Sequence, residues 1–193
     1  GSTNEIGVFE MLDNGLSEVE NPSLMLISGK PQNVSGTCVA CLMEGSRPIL
    51  AEVQSLVTPS GFGNPRRMAT GIDYNRMSML IAVLEKRCGY FLGNMDCYTN
   101  VIGGLRIDET AADLSIALAI VSSLKDVVVP EKTLAFGEIG LAGEIRSVNN
   151  CEQRIKEAEE KVEKITTQYR RGLLSNEDRR ESVIHVWEEA TKV

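Results

Sequence analysis

An α+β fold is predicted by three features of the 193-residue sequence. Strand-like segments fill the first sixty residues, helical periodicities come later, and one later helix is apolar nearly all round. Residues 7–12 and 16–19 flank Asp13-Asn14-Gly15, a hairpin signal. Asn21-Pro22 breaks the chain before a short strand at 24–27, and residues 29–33 form a turn-rich loop. Segments 35–43 and 48–56 pair across Glu44-Gly45-Ser46-Arg47, a four-residue loop suited to a hairpin. Residues 58–65, rich in Gly, Ser and Pro, read as loop.

Helical spacing begins at 75–87 through Met79, Ile81, Ala82, Val83 and Leu84, and Gly89 supplies the left-handed residue that ends such a helix. Residues 96–105 read as a strand, with Gly103-Gly104 marking a close backbone approach or a bulge. Thr110 and Asp113 have capping-box spacing ahead of a helix at 111–124, whose apolar circumference predicts a buried central position. Short strands are expected at 127–129 and 133–136, split by Pro130. From about Asn149 the chain becomes charged. Ile155, Ala158, Val162, Ile165 and Tyr169 form a coiled-coil-like stripe on a helix at 151–171, which Gly172 ends. Ser175 and Asp178 cap a last helix with Val183, Ile184, Trp187, Ala190 and Thr191 on one face, which completes an antiparallel helical hairpin.

Composition narrows the function classes. At 42% hydrophobic and 24% charged residues, the chain reads as an ordinary globular protein. No apolar run approaches the roughly 20 residues of a spanning helix, and no signal pattern opens the sequence, so no membrane partner is expected. A net charge of −7 and a pI near 4.9 argue against strong nucleic-acid binding by the whole surface, though not against a local basic face. Five cysteines, an odd number, argue against a disulfide framework and for a reducing cytoplasm. Cys38 and Cys41 have CxxC spacing, but an odd separation on a strand sends two thiols to opposite faces. They are expected to be structural, with no metal or cofactor bound.

Asp108-Glu109-Thr110-Ala111-Ala112-Asp113 opens the apolar helix, and Phe136-Gly137-Glu138-Ile139-Gly140-Leu141-Ala142-Gly143-Glu144-Ile145-Arg146 follows a strand. Together they resemble the protease domain of the Lon family, where the first segment carries a nucleophilic Ser and a Lys beyond the second activates it. The matching positions here are Ala111 and Glu152. An alanine has no nucleophile, and a carboxylate is no amine base. The resemblance thus implies a Lon protease-like (ribosomal S5 domain 2-like) scaffold without peptidase chemistry. The competing enzyme reading is a serine peptidase with a displaced Ser-Lys dyad, Ser115 and Lys156. It is weak, because a helical Ser bonds back to a carbonyl and Lys156 is expected on a solvated face.

A longer resemblance covers about 150 residues. Asn4–Met11, Asn21-Pro22-Ser23, Glu44-Gly45-Ser46-Arg47-Pro48, Asn64-Pro65-Arg66-Arg67, Asn75-Arg76, Val101-Ile102-Gly103-Gly104 and the two segments above stand in the order and spacing of the Lon-like C-terminal domain of the RadA (Sms) family of bacterial DNA-repair proteins. That resemblance implies a cytoplasmic scaffold in a ring-forming, ATP-driven motor acting on branched DNA, hexameric in the full-length parent. It also implies weak, sequence-independent contact with the DNA backbone. Arg66, Arg67 and Arg76, with Lys86, Arg87 and Arg106, are the candidate phosphate contacts, since arginine forks suit phosphate. The family's zinc finger and ATPase loop have no counterpart here. Residues 1–157 are therefore expected to form the Lon-like domain. Residues 158–193 instead resemble the helical hairpin at the secondary-channel rim of the bacterial RNA polymerase β′ subunit, which implies a chimera joined in mid-helix.

Overall fold

The computed structural model describes residues 9–12, 15–19, 23, 33–61, 63–130 and 133–170, without the side chains of 10, 12 and 161–170. The expected strand at 24–27 and the tail helix after 171 lie outside the described residues. β1 (Phe9–Leu12) and β2 (Gly15–Glu18) form the predicted antiparallel hairpin, with Leu12 opposite Gly15.

The main sheet has five strands, in the order 67–70, 95–101, 47–59, 37–44 and 134–135. β3 (Thr37–Glu44) and β4 (Arg47–Pro59) pair as predicted, but Glu44 stands opposite Arg47, so the connection is the two residues Gly45-Ser46 rather than four. Gly45 has φ +60°, the left-handed conformation that tight two-residue hairpin turns use. β4 runs on to Pro59 because β6 (Met95–Val101) pairs with it from Val53 onward. β5 (Arg67–Thr70) lies parallel to β6 in a stretch to which periodicity assigned no element. β7 (Leu134–Ala135) adds parallel to β3. Residues 127–129, read as a strand, are not one; Val127 is largely exposed.

Strand alternation divides the core in two. One sheet face presents Cys38, Ala40, Val53, Cys97 and Val101 to Met77, Leu80, Ile81, Ile116 and Ile120 of α1 (Tyr74–Cys88) and α2 (Asp113–Lys125). The other presents Val39, Cys41 and Leu50 to Leu134, Phe136 and Ala158, the last on α3 (Cys151–Arg170). The two CxxC thiols thus occupy opposite faces, both buried and neither in a disulfide.

α1 begins where the Asp73 carboxylate accepts the Arg76 N–H at 2.8 Å and ends at Gly89, φ +72°. Met79 and Ala82, read as part of its apolar face, lie on its exposed side. β6 stops at Val101. Ile102–Gly104 then form a 3₁₀ turn, and a Cβ at Gly104 would meet nothing within 4 Å, so this glycine serves its positive φ rather than a close approach. The capping box expected at Thr110 is not made. A 3₁₀ turn over Thr110–Ala112 precedes α2, whose N-cap is Ala112 with only a methyl to offer, and the Asp113 carboxylate is engaged elsewhere. α3 runs unbroken from 151 to 170, across the position where the resemblance changes.

Candidate functional site

The site is the start of α2, where the peptidase resemblance places its nucleophile. Ala111 is buried and offers only a methyl group. Its carbonyl accepts the Gly137 N–H at 2.7 Å, and the Leu114 N–H donates to the Gly137 carbonyl at 3.1 Å. These bonds dock the segment that follows β7 against the helix. β8 (Glu138–Ile139) and β9 (Ile145–Arg146) then form a small hairpin. Its turn needs glycine at Gly143, where φ is +90°. The Glu144 carboxyl is held below its ordinary range by a backbone N–H and by Arg146, whose Nη2 lies 2.6 Å away.

Asp113 is the hub of this corner. Almost fully buried, it accepts the Ile139 N–H at 3.0 Å and both arms of the Arg76 guanidinium, the Nε arm at 2.8 Å. Arg76 also donates to the Ile139 carbonyl at 3.2 Å, and its proton is held more tightly than usual, mainly by the bond to Asp113. Arg87, three turns on, donates to the Leu141 carbonyl at 3.3 Å. An open cleft of about 430 Å³ lies between α1 and the hairpin, with Arg76, Met79, Val83 and Leu141 in its lining.

A second ion pair closes the other side. Glu152, the matched position of the base, is exposed on the first turn of α3. The side chain that reaches the helix-opening segment is Arg154, 1% exposed. Its guanidinium grips Glu109 with two bonds, 3.0 and 2.6 Å, and donates to the Asn149 carbonyl at 3.1 Å and to the Cys41 carbonyl. Glu109 also accepts the Met43 N–H at 2.8 Å. Sequence reasoning missed this pair. A faint signal existed, since Arg154 stands four residues before Ala158 on the helix face that turns inward.

The displaced dyad finds no geometry. Ser115 donates to the Ala112 carbonyl at 2.8 Å, while Lys156 is exposed beside Glu160 at 3.7 Å. The six candidate phosphate contacts differ in what their side chains touch. Arg76 and Arg87 hold the hairpin. Arg67 points its guanidinium at the Met95 and Leu92 carbonyls, the latter at 2.7 Å, and Arg106 pairs with Asp108 at 3.1 Å. Arg66, Lys86, Arg87 and Arg106 are all exposed, and the Arg66 backbone N–H donates to Asp96 at 2.7 Å. For Arg67 and Arg76 the reason is physical: a guanidinium beside backbone carbonyls or a buried carboxylate bonds to those acceptors before any external phosphate.

Among the described residues, no group of three or more His, Cys, Asp or Glu side chains is placed to hold a metal ion. Burial pushes the Cys41 thiol up to about 12 from 9.0, outweighing the lowering by Arg154. The unfolded chain therefore releases this proton first as pH rises, so stability should fall between about pH 9 and 12. Denaturation midpoints measured over that range should decline in wild type and decline less in Cys41→Ala. At pH 8, exposed Cys88 should be the thiol a maleimide reaches first.

The fold thus defines a mixed-sheet α+β module whose helix-opening site is flanked by two salt bridges. A family model described as subunit ChlI of Mg-chelatase matches residues 81–167, a span that contains Glu109, Asp113 and Arg154. Proteins named DNA repair protein RadA are close relatives in sequence. The chain is 56% identical to that of Streptococcus pyogenes serotype M1 and 52% identical to those of Halalkalibacterium halodurans and Bacillus subtilis. Each match covers 158 residues, 82% of this chain, and 35, 35 and 34% of the respective relatives. The chain is thus homologous over most of its length to a DNA-repair protein, and it spans about a third of the length of these curated relatives. No helix among the described residues is long and apolar enough to cross a membrane.

Proposed function

We propose that this module is a non-catalytic, Lon-like scaffold of a cytoplasmic DNA-repair and recombination machine, serving ring assembly and weak contact with the DNA backbone. One observation carries the reading: the place of a nucleophile is held by buried Ala111, flanked by the Arg154–Glu109 and Arg76–Asp113 pairs. Those pairs leave no group that could act as nucleophile or base there. The homology to RadA supports the repair assignment, and the hairpin after the short strand β7 supports the Lon-like one. The peptidase alternative gains nothing from Ser115, whose hydroxyl is committed to a carbonyl.

We read the tail as a helical hairpin of the polymerase β′ rim type, joined to the scaffold within α3. The matches to the RadA relatives each span 158 residues, in keeping with a junction near residue 158. No polymerase chemistry is implied.

DNA contact falls to the cations left exposed, Arg66 and Lys86 foremost. Binding by the module should be weak, insensitive to sequence and steeply salt-dependent, since each neutralised duplex phosphate releases about 0.9 counterion. The change Arg66→Ala/Lys86→Ala should weaken binding of unrelated sequences about equally and flatten the salt slope by up to about two. Titration of labelled duplexes at several salt concentrations tests this, with a casein assay expected to show no turnover. Identical curves for wild type and variant would remove DNA contact from the reading; serine-dependent turnover would remove the scaffold itself.

A further inference from the structure

The geometry points to a head-to-tail contact between two copies of this chain, in which the β1–β2 hairpin of one lies across the open half of the main sheet of the next. It rests on the ring-assembly reading and supplies its surfaces. In the hairpin, Met11 stands opposite Leu16 and Phe9 lies two residues from Met11, so all three share one face. They are 58, 75 and 70% exposed for Phe9, Met11 and Leu16. A two-stranded hairpin is marginal in water unless its apolar face is covered.

A matching surface exists on the sheet. Among the described residues, α3 packs on the outer face through Ala158, against Val39, Cys41 and Leu50. On the same face farther along, Leu56 stands opposite Tyr98 and Tyr98 opposite Met68, an apolar row across β4, β6 and β5. Leu56 and Met68 are each more than half exposed. Face-to-face packing of a two-strand ribbon on three strands is an ordinary sheet-on-sheet arrangement.

Charge agrees with this pairing. Glu5, Glu10, Asp13, Glu18 and Glu20 precede the first cation of the sequence, Lys30. Glu18 shares the apolar face of the hairpin, opposite Phe9. The sheet row ends at exposed Arg66, which follows Pro65 at the start of β5. Because donor and acceptor surfaces differ, the contact is heterologous and propagates to a ring or an open chain. Three side chains on each side fall short of the roughly 800 Å² per partner of a standard interface, so one contact is weak and closure of a ring must reinforce it.

Cross-linking of the full chain tests this. In a Cys88→Ser background, Leu16→Cys and Met68→Cys proteins are mixed and oxidised mildly. Covalent dimers are expected from the mixture and not from either protein alone, and Met68→Glu added to the acceptor site should cut the weight-average mass in sedimentation. No mixed dimer would overturn the proposal, as would a Leu16→Cys/Met68→Cys protein that closes only on itself at every dilution, which would place the hairpin on its own sheet. Either result leaves a DNA titration of Lys86→Ala untouched, since Lys86 is on α1 and outside this contact, so failure of the contact and failure of the scaffold reading are distinguishable.

Discussion

Arg154→Ala is expected to lose about 3–5 kcal/mol of folding stability, the cost of breaking a buried pair from one side. The guanidinium is 1% exposed and makes four named bonds, two to Glu109 and two to backbone carbonyls. Its removal leaves Glu109 with the Met43 N–H alone, takes a donor from the Asn149 and Cys41 carbonyls, and leaves a cavity beside Cys41. A domain of this size has only some 5–15 kcal/mol in total, so the variant should be partly unfolded at modest urea. Arg154→Lys should recover little, since an ammonium cannot reproduce the bidentate fork. The double change Arg154→Met/Glu109→Leu should recover most of the loss, because it removes both charges together. Urea titrations of the four proteins give the coupling. A loss under 1 kcal/mol for Arg154→Ala would mean that α3 is docked by its apolar stripe alone.

Arg76→Ala should be nearly as costly, again about 3–5 kcal/mol, because Asp113 then stays buried with one backbone donor. The loss should be focused on the β8–β9 hairpin. Hydrogen exchange at the Ile139 amide, whose acceptor is Asp113, should accelerate far more than exchange in β3 or β4. Any fall in DNA binding by this variant should then track the lost fold and not a lost phosphate contact. A stable Arg76→Ala protein with weaker, less salt-sensitive DNA binding would return Arg76 to the phosphate-contact set.

Much of the local structure was legible in the residues. Asp13-Asn14-Gly15 announced its hairpin, Gly89 the end of α1, and the odd spacing of Cys38 and Cys41 their separation to two faces. Each is a short-range property of backbone conformation or strand alternation. β5 was not legible, because four residues at a sheet edge carry too short a pattern and owe their pairing to β6. Thr110 and Asp113 looked like a capping box because local spacing favours one. Asp113 went instead to Arg76, a partner 37 residues away.

The same division runs through the site. By itself the sequence determined that no nucleophile stands at Ala111 and that the scaffold resembles a protease domain, since both are matters of which residue occupies a position. Only the tertiary structure decided what fills the space. Arg154 rather than Glu152 turns inward, since a helix face is chosen by what it packs against, and Arg67 and Arg76 are spent on internal acceptors while Arg66 stays free. A charged side chain reads the same in sequence whether it ends in water or against a buried carboxylate. The difference lies in desolvation and in partners that the fold alone brings within reach.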